Sequence, residues 1–185
     1  MRPRLGREKI QDAALALFAK RGFHGASISD IAQAAGVSKG LTYNYFASKE
    51  ELLLSIVEKS SQEMFALAET LASGDDYVAT LRDFLDAYAA ALREHQDQLI
   101  FQLSLLFQPD LRDIVKAPLE TRGMRLLGAC EAMFRNAGIP NPTPTARRFI
   151  SELDGIALHH LTVFQDFPLD EMLEQLFINY RSLAT

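Results

Sequence analysis

A single cysteine, Cys130, stands in a chain of 185 residues, so an internal disulfide framework is excluded at once. The four histidines are scattered, with no spacing against Cys or carboxylates that suits a metal, and no cofactor is implied. Long apolar runs are missing as well. No stretch approaches the ~18 residues of a membrane span, and the opening MRPRLGREK lacks the apolar centre of a secretory signal, so a cytoplasmic protein is expected. Strand-like alternation between turns occurs nowhere, whereas apolar residues recur at three- and four-residue steps from end to end. The expected fold class is therefore all-α, with a hydrophobic content of 48% that is ample for a folded core.

Positive charge is scarce in total, the net charge being −5, and an even spread would argue against a nucleic-acid partner. The spread is uneven. Residues 1–49 hold Arg2, Arg4, Arg7, Lys9, Lys20, Arg21, Lys39 and Lys49 against Glu8, Asp12 and Asp30, a local balance of +5 that leaves −10 for the rest. Local cations set affinity for phosphate, so a basic head on an acidic body is compatible with DNA binding. An accidental basic tail would give the same balance.

What the chain does have is concentrated in Ser27–Glu51, SISDIAQAAGVSKGLTYNYFASKEE. Ser27 is placed to cap a short helix with Asp30 as its third residue, and Ile28, Ile31, Ala32 and Ala35 then share one face before Gly36 stops it. Gly36-Val37-Ser38 supplies a turn-forming glycine, an apolar plug and a second cap, so a second helix, Lys39–Phe46, leaves within three residues. This is the pattern of a helix-turn-helix. Ser38, Lys39, Thr42, Tyr43 and Tyr45 all carry donors, while Leu41 and Phe46 can pack inward; such a face suits phosphates and base edges of a major groove. Ser48 and Glu51 form a third capping signature, and Lys49 in that first turn opposes the helix dipole, which favours a phosphate contact as its purpose. Three short core helices with solvated Lys and Tyr is the plainer alternative.

The run GVSKGLTYNYFASKEEL closely resembles the DNA-binding segment of the TetR family of bacterial transcriptional regulators, over roughly residues 7–55. Many members carry Thr directly after the glycine, whereas here Leu41 precedes Thr42, which leaves open which of the two faces DNA. The resemblance implies an N-terminal three-helix DNA-binding domain over 1–48 and a C-terminal helical domain over 49–185 that binds a ligand and dimerises, with helix 49–72 shared. It also implies Ser27, Ser38, Lys39, Gly40, Leu41, Thr42, Tyr43, Tyr45 and Lys49 as DNA-contacting positions, and operator DNA, a small effector and a second copy as partners.

Elsewhere, RPRLG at residues 2–6 is expected to be a flexible basic arm, and Ile10, Ala13, Ala14, Leu17 and Phe18 form the apolar stripe of a supporting helix ended by Gly22. His24 is expected in an exposed loop. Helix 49–72 would pack Met64, Leu67 and Leu71 against the body. Further helices follow through Val78–Leu92 and Asp97–Phe107; Asp110 caps the next, in which Pro118 either kinks the helix or starts a new one. Thr143-Pro144 opens a helix carrying Phe149, Leu153 and Ile156, and Pro168 separates it from the last, with Leu169, Leu173, Leu176 and Tyr180. These last two helices have wide apolar faces and small residues, Gly155 and Ala157, that would let them pair about a two-fold axis; a monomer core is the competing explanation.

Adaptable apolar side chains suit an effector pocket, and Phe101, Leu105, Phe107, Met124, Met133 and Phe134 are candidates for its lining, with His160 and Phe164. Each is individually also a plausible core residue. Adjacent residues diverge on a helix, so at most one of His159 and His160 points inward. An enzyme using Cys130, or His160 with Asp154, is the rival class, but an offset of six places the latter two on different sides of a helix. A helical interaction module without DNA binding is a third.

Overall fold

The computed structural model describes residues 2–74 and 76–184, apart from the side chains of residues 2–4, 63–67, 70 and 73. The helices are α1 (Arg2–Arg21), α2 (Ile28–Ala34), α3 (Lys39–Tyr45), α4 (Lys49–Ser73), α5 (Tyr77–Glu94), α6 (Gln96–Leu105), α7 (Pro109–Asn136), α8 (Pro142–Leu158) and α9 (Leu169–Arg181). Among the described residues there is no strand, as the sequence led one to expect. A π-helical turn, His159–Val163, prolongs α8.

Local chemistry explains most of the boundaries. Gly22, Gly36 and Gly138 end α1, α2 and α7 with φ of 72°, 67° and 74°, the left-handed conformation that other residues adopt only at a cost. Asp76 caps α5 by accepting from the Ala79 N–H at 3.0 Å. Some starts differ from expectation. Residues 2–6 are helical rather than an arm, because Pro3 falls in the first turn, where a missing N–H costs nothing. Likewise Pro109, not Asp110, opens α7, and Asn141 with Pro142 opens α8 one proline earlier than Thr143-Pro144. Pro118 lies inside a single α7 and starts no new helix.

Packing divides the chain into two units, and not at the expected 48/49 boundary. The first takes the residues up to Ser61 together with Asp97–Leu119; the second takes Gln62–Gln96 together with Glu120 onward. The reason lies in the first unit's core, where Phe101, Leu105, Leu111 and Val115 of α6 and α7 join Ile10, Phe18, Ile31, Phe46, Leu52 and Leu53. Rings of Phe18 and Phe101 lie 5.7 Å apart. Both α4 and α7 therefore contribute to each unit.

The second unit is organised around aromatic rings. Phe149 stands edge-on to Tyr180 at 4.8 Å and to Phe134 at 5.7 Å, and lies 6.0 Å from Phe84. Buried hydroxyls need partners, and Tyr77 donates to the Tyr180 carbonyl and Tyr88 to the Leu153 carbonyl, each at 2.8 Å. Burial pushes both phenols well above the usual tyrosine range. Arg82 pairs with Glu174 at 2.8 Å and Arg93 with Asp170, fastening α5 to α9. The side chains of Met64 and Leu67 lie outside the described residues; Leu71 is buried.

Candidate nucleic-acid interface

The helix-turn-helix is built by three caps that act within a few residues. Ser27 Oγ accepts from the Asp30 N–H at 3.2 Å while the Asp30 carboxylate accepts from the Ser27 N–H at 3.0 Å and from its hydroxyl at 2.6 Å. Those bonds to Ser27 hold the Asp30 carboxyl below its ordinary value. Ser38 Oγ accepts from the Leu41 N–H at 3.1 Å and starts α3. Between them the Val37 N–H donates to the Ala32 carbonyl at 3.0 Å, closing the turn at Gly36 and setting Val37 against the core. The third cap is a variant of the expected one: Ser48 Oγ accepts from the Glu51 N–H at 3.1 Å, but the Glu51 carboxylate accepts from the Ala47 N–H at 2.6 Å rather than from that of Ser48.

The structure sorts the sequence's candidate contacts. Ser27, Ser38, Lys39, Gly40 and Tyr43 are exposed, Leu41 and Tyr45 half-buried. Lys39 Nζ sits 5.9 Å from the centre of the Tyr43 ring, and the ring is 47% exposed, so a cation and a phenol stand side by side on α3. Tyr45 instead turns toward α1, where a Cβ at Gly6 would come within 3.1 Å of its hydroxyl, so glycine there leaves room for the phenol.

Two candidates are engaged within the fold. Thr42 is 0% exposed and its hydroxyl donates to the Ser38 carbonyl at 3.4 Å, so it faces the interior of the head and Leu41 is the member of the pair with free surface. A hydroxyl is tolerated there because the first turn of its own helix supplies the acceptor. Lys49 is likewise engaged: its ammonium donates to the Phe23 carbonyl at 2.8 Å and the Ala26 carbonyl at 2.9 Å and lies 4.3 Å from the Phe23 ring centre. It clips the start of α4 to the loop after α1, satisfying carbonyls that no helix satisfies. The sequence argument saw a cation misplaced on a dipole and missed that distant carbonyls were its reason.

Gln11 was overlooked altogether. It is buried, and its amide donates to Ser55 Oγ at 3.0 Å and to the Ser55 carbonyl at 3.2 Å, a polar pin between α1 and α4 that only a polar residue on an apolar stripe could have signalled. Asn44, exposed on α3, was also passed over. His24 is exposed as expected and pairs with Asp110 at 3.0 Å.

The matches with known families fall on both parts of the chain. Residues 10–56 match the family of bacterial regulatory proteins named for tetR, and residues 72–178 match the tetracyclin repressor-like C-terminal domain. The chain belongs to the TetR family. It is 30% identical over 159 residues to the uncharacterized HTH-type transcriptional regulator YerO of Bacillus subtilis, covering 82% of this chain and 52% of YerO. To the HTH-type transcriptional repressor KstR2 of Rhodococcus jostii it is 35% identical over 101 residues, 50% of each chain. The chain thus spans about half the length of the curated relatives it matches. A putative transcriptional regulator from Saccharomonospora viridis, solved in complex with choline, superposes with a TM-score of 0.78 at 21% identity, covering 95% of each chain, a likeness of fold. TetR proteins are transcriptional regulators with a helix-turn-helix, not enzymes.

In this TetR chain the expected effector residues do not converge. Phe101 and Leu105 belong to the head's core, Phe107 is 77% and Met124 67% exposed, and Met133 and Phe134 are locked in the second unit's core. His159 is exposed and His160 is the inward one of the pair; its Nε2 is buried with no hydrogen-bond partner among the described residues, and Phe164, half exposed, stands edge-on to His159 at 5.4 Å. The sequence could rank these side chains by type but not by where the helices set them. The second unit does hold a cleft of about 220 Å³, walled by Ala68 and Ala72 of α4 and Gly128 and Ala129 of α7, with Glu69 and Arg125. Cys130 is fully buried and its thiol is pushed up to about 12 by burial, which removes it as a nucleophile. Among the described residues no His, Cys and carboxylate cluster could hold a metal, and no helix is long and apolar enough to cross a membrane.

Proposed function

We propose that this protein is a ligand-responsive repressor that binds a near-palindromic operator as a homodimer and is released by a small, largely apolar effector. The observation that carries the reading is that Ser38, Lys39, Gly40 and Tyr43 are all exposed at the start and along the flank of a helix that Thr42 and Phe46 anchor in the head. Lys39 and Tyr43 offer donors to phosphate, with Ser27 and Ser38 beside them at helix starts. Lys49 and Thr42 support this arrangement from within and make no contact of their own.

For dimerisation the support is the face of α8 and α9, where Leu158, Val163, Phe164 and Met172 are each at least 40% exposed beside a groove of about 310 Å³. Gly155 opens onto that groove, and a Cβ there would meet nothing within 4 Å. A second copy would cover this face isologously. For the effector the support is the cleft at Ala68 and Gly128, whose lining is mostly apolar; that this fold can hold a small molecule is supported by the choline complex of the Saccharomonospora viridis protein. Because α4 belongs to both units, a ligand at its second half can act on the helix that clips the head through Lys49. Moving the population from mostly bound to mostly released asks for a preference of ~10⁴-fold, about 5.5 kcal/mol, which only a ligand burying appreciable apolar area supplies.

The test is a mobility-shift assay on promoter fragments flanking the encoding gene, with and without candidate apolar amphiphiles. Retarded duplex at nanomolar protein, lost on adding one of them, is expected. Failure to retard any fragment over general competitor DNA, with light scattering reporting a folded dimer, would leave the interaction-module alternative standing.

A further inference from the structure

On the reading that α3 enters a DNA groove, we infer that Asn44 is the residue that reads sequence, and that it reads an adenine. Thr42 and Phe46 are 0% and 1% exposed and define the inward side of α3. At about 100° per residue they lie about 40° apart around the axis, and the pole opposite their mean direction falls on Asn44. Gly40, about 40° away and one turn earlier, has no side chain, and a Cβ there would meet nothing within 4 Å. The Asn44 amide therefore has an unobstructed approach along the outermost line of the helix, flanked by Tyr43 on one side and half-buried Leu41 on the other.

Chemistry assigns the base. A carboxamide carries one acceptor and two donors, which match the N6 amine and N7 of adenine as a bidentate pair across the major groove; no other base edge offers that pair there. Lys39 and Tyr43, by contrast, carry a cation and a phenol that are drawn together over a ring and suit the sequence-independent backbone. Among the described residues the Asn44 side chain makes no hydrogen bond, so its amide is available without breaking any of those contacts. The competing amide is Gln33, exposed at the end of α2.

The experiment selects duplexes from a randomised pool with the full chain, its Asn44→Ala, Asn44→Asp and Gln33→Ala variants, and follows folding of each by thermal melting. The wild type is expected to enrich one A·T pair in each half-site, Asn44→Ala to lose that preference alone, with affinity for the selected duplex falling about 5- to 150-fold. Asn44→Asp, an acceptor only, should move the preference toward cytosine. Replacing that adenine by 7-deazaadenine removes the N7 acceptor and should weaken the wild type but leave Asn44→Ala unchanged. The inference is overturned if folded Asn44→Ala keeps every preference, if the pair it relaxes is G·C, or if Gln33→Ala abolishes the adenine preference instead. A wild type that binds duplex but enriches no sequence overturns it while sparing DNA binding, whereas one that binds no duplex overturns the reading on which it rests.

Discussion

The head and the second unit are held together by different kinds of interaction. The head has an apolar core in which Phe18, Phe23, Phe46 and Phe101 stand among aliphatic side chains, with caps at Ser27, Ser38 and Ser48 that act over three residues and two polar side chains, buried Gln11 and half-buried Lys49, that satisfy backbone carbonyls from farther along the chain. The second unit rests on rings, with Phe134, Phe149 and Tyr180 in mutual contact, and on tyrosine hydroxyls and arginines that reach far along the chain, Tyr77 to Tyr180 and Arg93 to Asp170 among them. A helix that must present side chains to a rigid partner is fixed by directional bonds.

The sharpest way to separate the two is to remove the central ring. Phe149→Ala should cost about 3–5 kcal/mol, seen as lost amide protection in α5, α8 and α9 by hydrogen exchange, while the head amides of α1–α3 stay protected. Equal loss in both units would mean that they unfold as one and that the contrast is only descriptive.

Next in size is Lys49→Met, which leaves the Ala26 carbonyl without its donor and the Phe23 carbonyl with only the 3.4 Å bond from the Ala26 N–H, and should cost the head about 1–3 kcal/mol in denaturant melts. Non-specific DNA binding should keep its salt dependence once the variant is folded. A salt slope smaller by about one would restore Lys49 as a phosphate contact.

The smallest effect belongs to pH. Asp30 is held below its ordinary value by the side-chain and then the backbone hydrogen bond to Ser27, so the stability it gives is complete above the usual carboxylate range and is lost as pH falls through that range toward its lowered folded value. Asp30→Asn should flatten this part of the acid melt of α2, and an unchanged acid profile would show that the capping box is marginal.

The same contrast explains what could be read beforehand. Ser27 with Asp30, Gly36, and Ser38 were legible because cap chemistry acts over three residues, and their sequence spacing is their spatial spacing. Lys49, Gln11 and Thr42 were not, since their partners, or the direction they face, depend on how separate helices come together. That α6 would share the head's core through Phe101 and Leu105 was hidden for the same reason; an apolar run says that burial is needed and not against what. Pro118 was legible only as an alternative, and tertiary packing carried α7 through it.

Cys130 gives the second unit a property of its own. As the chain's one sulfhydryl, fully enclosed and with its proton held up to about 12, it is invisible to thiol reagents in the closed molecule. Any labelling must wait for the surrounding helices to part, so the rate of reaction with an excess of reagent is a stopwatch on that opening and on nothing in the head. A ligand that settles between α4 and α7, beside Ala129, should slow the stopwatch in proportion to how firmly it holds the walls together, which makes the unmodified protein its own sensor for finding that ligand.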